Sequence, residues 1–275
     1  MNGEPLRRET YTHGHAPAVV RQHAQRTAEE AAGFLLPELR RGMSVLDVGC
    51  GPGSITRGLA EHVAPGPVVG LDLSRETLEA ARRDAAARGL DNLRYQEGSV
   101  YALPFPDAAF DVVYAHQVLQ HLRERDAALR EMLRVVRPGG CVAVRDVDWG
   151  TAAYWPRDPW IDRFIAVHQE AWYRNGGEPQ LGRQLRALFN AAGVADVCIT
   201  AAVWCYATPE ETIAWGDSYA DRLLASPMGD SPVAHGLASR EDIEAMADAF
   251  RGWARHPDAL WIFTHVAALA ATASA

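Results

Sequence analysis

Between residues 44 and 144 short apolar runs alternate with helix-forming stretches, and this alternation constrains the fold more than any other feature. The runs read as strands at Ser44–Val48, Val68–Leu73, Leu93–Gln96, Phe110–Ala115 and Cys141–Val144. Helices are expected from about Ser54, over Glu76–Arg88 up to Gly89, and over Arg123–Val136, where Pro138-Gly139-Gly140 follows. Strands this short and this apolar are buried on both faces, and parallel neighbours require a helical crossover between them. The pattern predicts βαβ units and a parallel sheet covered on both sides.

The flanks are mostly helical. Residues 17–36 read as a helix, with good helix formers after Pro17 and Pro37 as its stop. Further helices are expected over Asp158–Tyr173 and Gln180–Ala192, and strands over Asp196–Tyr206 and Trp261–Leu269. Those two strands are separated by a mostly helical stretch, so residues 208–256 read as a cap inserted into a core of 44–207 and 257–275, with 1–43 as an N-terminal helical segment. The cap's Trp215, Tyr219, Met228, Met246 and Trp253 either form a lid over a hydrophobic substrate or are the cap's own core.

Charge and cysteine content remove several classes of function. There are 35 acidic against 27 basic residues, a formal charge of -8. The doublets Arg7-Arg8, Arg40-Arg41 and Arg82-Arg83 are short, so no basic face for a phosphate backbone is expected. Cys50, Cys141, Cys198 and Cys205 form no C-x-x-C pair, so no metal site or disulfide framework is signalled, and most of them read as small buried hydrophobes. No apolar run approaches ~20 residues and the N-terminus lacks an apolar signal core, so a cytoplasmic protein without a membrane span is expected.

The loop after the first strand, V-L-D-V-G-C-G-P-G-S-I-T (45–56), narrows the ligand. Its glycines fall at 49, 51 and 53, and Ser54 stands where a dinucleotide fingerprint has its third glycine. No Gly-Lys-Ser/Thr follows, so the loop is not built for a triphosphate. Asp72 ends the second strand about 20 residues on, where a carboxylate can accept from both hydroxyls of a ribose. The two features suit an adenosine-bearing ligand whose other end is not a pyrophosphate.

The chain resembles the class I S-adenosylmethionine-dependent methyltransferases, in their ubiquinone/menaquinone-methyltransferase-like small-molecule branch. Five segments carry the resemblance: V-L-D-V-G-C-G-P-G (45–53), V-V-G-L-D-L-S (68–74), G-S-V-Y-A-L-P-F (98–105), F-D-V-V-Y-A-H-Q-V-L-Q-H-L (110–122) and L-R-V-V-R-P-G-G (133–140). It covers Tyr11–Trp149 well and the remainder loosely. It implies a doubly wound, Rossmann-like seven-stranded sheet, mostly parallel with the last strand antiparallel, and a helical cap inserted before that strand. It also implies S-adenosyl-L-methionine as cofactor and a small-molecule methyl acceptor, hydrophobic or aromatic, and the acidic balance speaks against a nucleic-acid partner without strictly excluding a tRNA or rRNA. Asp47, Gly49, Gly51 and Gly53 would meet the methionine end, Asp72 the ribose, Leu73 the adenine face, and Ser99 and Val100 the adenine edge. Ala115 and His116 would face the sulfonium and its methyl group. The family usually has Asp where this chain has Ser99, which accepts a hydrogen bond from the adenine more weakly and without charge. In the N-terminal segment, which would cover the cofactor, Tyr11, His15 or Arg26 would meet its carboxylate; His13 and His15 read equally as surface residues.

Methyl transfer is an in-line displacement in which alignment supplies most of the rate. A base is needed only for an acceptor whose proton has a high pKa. His116, Asp146 and His168 are the catalytic candidates, because each belongs near the carboxyl end of the sheet. Asp146 and Asp148 read equally as caps or as partners of Arg145 or Arg157; His168 lies on an aromatic stripe with Trp160, Phe164 and Trp172 and reads equally as core. His121 reads as bonding backbone near a helix start. The alternatives to a methyltransferase are an enzyme using the cofactor for a non-methylating reaction such as a cyclisation, or a non-catalytic cofactor-binding protein.

Overall fold

The computed structural model describes residues 23–272. Its strands are β1 (Val45–Val48), β2 (Val68–Asp72), β3 (Leu93–Glu97), β4 (Phe110–His116), β5 (Val136–Trp155), β6 (Val197–Tyr206) and β7 (Leu260–Ala271). They form one sheet in the order β3-β2-β1-β4-β5-β7-β6. Strands β1 to β5 pair in parallel, and β7 runs antiparallel to both β5 and β6. The sheet grows outward from β1 in one direction and from β4 in the other. The carboxyl ends of β1 and β4 therefore flank a crevice at the point where the strand order reverses.

Each strand divides its apolar residues between two layers. Leu46 and Val48 of β1 share a cluster with Leu129 and Met132 of helix α4 (Arg125–Val135) and Leu185 and Phe189 of α6 (Leu185–Ala191). Val45, on the other face, packs with Ala31 and Ala32 of α1 (Ala28–Ala32) and Leu59 and Val63 of α2 (Ser54–Val63). Helix α3 (Arg75–Ala87) closes the β3 side through Leu78, Ala81 and Ala85 against Tyr95. A further aromatic cluster joins Trp149, Trp261 and Phe263 of the sheet to α5 (Pro159–Arg174), α7 (Pro209–Ala225), α8 (Pro227–Ala234) and α9 (Arg240–Ala254). Helices α7 and α9 each start on a reciprocal capping box, Thr208 with Glu211 and Ser239 with Asp242.

Four local expectations are corrected. The helix expected over 17–36 is, among the described residues, interrupted at Arg26-Thr27. Thr27 is extended and its hydroxyl accepts from the Glu30 amide, so it starts a new short helix rather than continuing one. The fifth strand runs far beyond Cys141–Val144, to Trp155, with an irregularity between Asp148 and Ala153. Its charged residues look like loop in sequence, but Arg145 donates to the Glu30 carbonyl at 2.6 Å and Asp148 pairs with Arg183 at 2.6 Å. The cysteines are not buried: Cys50 and Cys141 are half-buried, and Cys198 and Cys205 are exposed on the edge strand β6. Residues 181–184 form a 3-10 turn ahead of α6 rather than part of one helix.

Candidate functional site

The glycine loop lies in the crevice beside β1 and leads into α2. Gly51 takes φ +52°, and the place a Cβ would occupy there is open space, so the backbone lines the crevice bare. Its amide donates to Asp72 Oδ2 at 2.9 Å, while the Ser74 amide donates to Oδ1 at 2.9 Å. One carboxylate thus joins the glycine loop to the end of β2. The Gly49 amide donates to the Leu71 carbonyl at 2.7 Å, and Gly53 caps α2 in a left-handed conformation. Leu73, next along, is 64% exposed, an apolar side chain facing outward at the crevice. Ser99 is half-buried and its hydroxyl accepts from the Tyr101 amide at 3.2 Å; Val100 and Ala115 are buried in the core.

Asp47 alternates to the α2 side of β1 and is buried there, accepting from the Thr56 hydroxyl at 2.6 Å. Burial, and next the repulsion from Asp72, outweigh that hydrogen bond and push its carboxyl up to about 7. The unfolded chain titrates this group near 3.8. The stability it contributes is therefore complete below that value and is lost as the pH rises through about 7. Asp47→Asn keeps an acceptor for Thr56 and removes the ionisation. The ligand-free variant is expected to melt about 2–6 °C above the parent at pH 8 and no higher at pH 4. Thermal melts at the two pH values check this, and a lower melting temperature at pH 8 would contradict it.

On the β4 side the chain turns sharply. Gln117 follows His116 with φ +55°, a conformation costly for a side chain other than glycine. Arg26 Nη2 donates to Gln117 Oε1 at 2.9 Å, and Gln117 Nε2 lies 2.7 Å from His265 Nε2. With the amide oxygen taken by Arg26, the amide nitrogen donates, so His265 Nε2 accepts and its proton sits on Nδ1. Burial, with Arg145 and Arg26 nearby, holds the His265 imidazole well below its usual value and neutral. The Ser54 hydroxyl donates to the His23 carbonyl at 3.0 Å, which ties residue 23 to the start of α2.

Beyond Gln117 opens a cavity of about 780 Å³. Its aromatic wall is Trp149, Trp204, Tyr206, Trp215, Tyr219 and Phe263, from β5, β6, α7 and β7. Its polar edge includes Arg26, Gln117, Gln120, Arg145 and His265. Trp204 lies against His265 at 3.9 Å between ring centroids, and Tyr206 stacks on Trp215 at 4.3 Å. Trp215 and Tyr219 belong both to this wall and to the helical cluster, whereas Met228, Met246 and Trp253 lie in the cluster alone.

The structure separates the three catalytic candidates from this cavity. His116 is buried beneath it, 6.1 Å from Trp204 and 6.3 Å from His265 between ring centroids. Both its ring nitrogens lack a hydrogen-bond partner among the described residues, and burial, followed by Arg26, holds it well below the usual histidine value. Asp146 alternates to the opposite side of β5 from Arg145 and Val147, where burial raises its carboxyl well above the usual range. His168 lies inside the aromatic cluster, stacked on Phe164 at 5.1 Å and edge-on to Trp149 at 5.2 Å, and burial brings it down to about 3. Trp160, on the same helix, is 38% exposed at its first turn. Arg26 reaches the site; Tyr11, His13 and His15 lie outside the described residues. The sequence placed Gln117 beside His116 at the end of the fourth strand but gave it no role, and it did not point to Trp204, Arg145 or His265, all of which line the cavity. The period-two run Trp261, Phe263, His265 along β7 is the signal that marks one inward face.

Comparisons with known proteins agree with this architecture. Residues 46–144 match a family model described as a methyltransferase domain. An uncharacterized methyltransferase of Schizosaccharomyces pombe is 37% identical over 213 residues, 74% of this chain and 76% of that protein. A demethylmenaquinone methyltransferase of Geobacillus stearothermophilus is 33% identical over 172 residues, 58% of this chain and 74% of its own. The crystal structure of the YcgJ protein of Bacillus subtilis superposes with a TM-score of 0.58 at 22% identity, over 89% of this chain and 99% of that one, a likeness of fold. No helix among the described residues is long and apolar enough to cross a membrane.

Proposed function

The chain belongs to the class I S-adenosylmethionine-dependent methyltransferases, and on that premise we propose that it methylates a small hydrophobic or aromatic molecule held in the cavity beside Gln117. The cofactor supplies an electrophilic methyl group on a sulfonium sulfur. Three observations fit it to the crevice: the bare backbone at Gly51, the partly exposed Asp72 carboxylate, and the outward apolar side chain of Leu73. In this reading Asp72 accepts from the ribose hydroxyls, Leu73 packs on the adenine, and Ser99 and Val100 lie at its edge. Asp47 and the glycines at 49, 51 and 53 meet the methionine end, and Arg26 stands ready for its carboxylate.

The observation that carries the acceptor class is the aromatic wall built from β5, β6, α7 and β7. Such a wall takes a flat apolar ring, excludes water and fixes its orientation. Gln117 joins the two compartments, because it follows the last residue of β4 and also lines the cavity. Its left-handed backbone is held by Arg26 on one side and His265 on the other. We assign it the positioning of the acceptor; His116 and Ala115 lie behind it as the buried end of the strand.

The test supplies methyl-labelled S-adenosylmethionine with a panel of aromatic, aliphatic and polar small molecules, and follows S-adenosylhomocysteine and labelled product by mass spectrometry. Equal amounts of S-adenosylhomocysteine and methylated aromatic product are expected. Methylation confined to polar or macromolecular acceptors would contradict the acceptor class. Gln117→Ala is expected to lower kcat about tenfold or more with little change in cofactor affinity, the pattern of lost alignment.

A further inference from the structure

The cavity's wall is apolar, but its buried charge is positive. Arg145 is 4% exposed, deep on β5, and lines the cavity. Among the described residues Nη1 alone is engaged, donating to the carbonyls of Glu30 at 2.6 Å and Ala31 at 3.2 Å. Its buried Nε has no hydrogen-bond partner, and the guanidinium forms no ion pair among the described residues. The guanidinium carbon sits 5.6 Å from the Trp204 ring centroid, over the aromatic wall.

Among the described residues, no carboxylate of the lining pairs with Arg145. Glu29 and Glu30 are exposed at the rim. Glu211 turns to its own helix cap, accepting from the amides of Ala207 at 3.1 Å and Thr208 at 3.0 Å. Asp146 and Asp148 lie on the other side of β5, and Asp148 is taken by Arg183. Burying a guanidinium without a counter-charge is costly, and burial already lowers Arg145 from the usual arginine value. Two backbone carbonyls satisfy one nitrogen, and the guanidinium they hold lies over a ring of the aromatic wall. A planar anion would meet both requirements at once, its ring on Trp204 and its oxygens on the guanidinium.

Resting on the methyltransferase reading above, we infer that the acceptor is an aromatic anion, whose ionised oxygen is bound by Arg145 while its ring lies on Trp204. The shared chemistry is a negatively charged oxygen on a flat ring, supplied by a carboxylate or by a phenolate.

The test is equilibrium binding to the protein saturated with S-adenosylhomocysteine, followed by quenching of tryptophan fluorescence and by calorimetry. The probes are 2-naphthoate, its neutral amide 2-naphthamide, and 2-naphthol across its ionisation. In the parent, naphthoate is expected to bind at least tenfold tighter than naphthamide if the carboxylate is the recognised group. If the phenolate is recognised, naphthol affinity rises at least tenfold as it ionises. Arg145→Met is expected to bring both ratios close to one, and Arg145→Lys to retain part of them. Cofactor binding by each variant is measured alongside. Should Arg145→Met fail to fold, the charge preference of the parent alone decides. Equal binding of charged and neutral probes would overturn the inference and leave the aromatic acceptor standing. Binding of none of the probes would overturn both.

Discussion

Asp72→Ala is expected to weaken S-adenosylhomocysteine binding by about a hundredfold or more. Each hydrogen bond from a hydroxyl to a charged oxygen contributes about 1.5–3 kcal/mol, and the proposed ribose contact comprises two. Even the lower end of that sum, about 3 kcal/mol, amounts to roughly a hundredfold in affinity. The structure adds a second loss. The same carboxylate accepts from the Gly51 and Ser74 amides at 2.9 Å, so its removal unties the glycine loop from β2. The variant therefore loses a contact and the preorganisation of its neighbour together. Asp72→Asn keeps one oxygen for one of the two amides and is expected to fall between the parent and alanine. Calorimetry with S-adenosylhomocysteine checks both variants. An affinity within threefold of the parent for Asp72→Ala would remove Asp72 from the cofactor site.

The parts of this site written in local sequence are those that local chemistry determines. The loop at 49–53 needs glycines because its backbone turns left-handed against β1, and Asp72 ends a strand whose apolar run is visible on its own. Strand order, including the antiparallel β7, follows from the family resemblance that those segments carry. The cavity was not legible in this way. Its wall takes residues from β5, β6, α7 and β7, which are far apart along the chain and meet only in the folded sheet. The length of β5 was hidden for a related reason. Arg145 and Asp148 look like loop residues until Glu30 and Arg183 supply their partners, 115 and 35 residues away. Gln117 shows the limit most clearly. The family resemblance turns His116 toward the sulfonium and its methyl group, but at Gln117, with its φ of +55°, it is the glutamine that lines the cavity and the histidine that does not. Nothing in a glutamine announces that conformation; it is imposed by Arg26 and His265 from distant parts of the chain.

Gly53→Ala is expected to have the largest effect on stability among substitutions in the loop. Gly53 has φ +78°, where a Cβ costs about 1–2 kcal/mol. The Cβ would also stand 2.1 Å from Tyr95 Oη and 2.7 Å from its ring carbon Cζ. Tyr95 cannot give way easily. It is buried against Leu78, Ala81 and Ala85 of α3, and its hydroxyl donates to the Gly53 carbonyl at 3.3 Å. Overpacking of this kind adds about 1–3 kcal/mol. The sum is about 2–5 kcal/mol, and for a chain of this size that lowers the melting temperature by about 5–15 °C. A double-mutant cycle with Tyr95→Ala separates the two contributions. In that background Gly53→Ala should retain only the backbone cost, about 1–2 kcal/mol. An unchanged cost would mean that Tyr95 is not the obstacle. Gly51→Ala supplies the converse case. Its φ is also positive, at +52°, but no atom lies within 4 Å of the added carbon. It should therefore destabilise less than Gly53→Ala and yet weaken S-adenosylhomocysteine more, because its methyl group projects into the space the cofactor is proposed to fill. Opposite rankings of two neighbouring glycines, one by melting temperature and one by affinity, distinguish the residue that lets the loop pack from the residue that lets it bind.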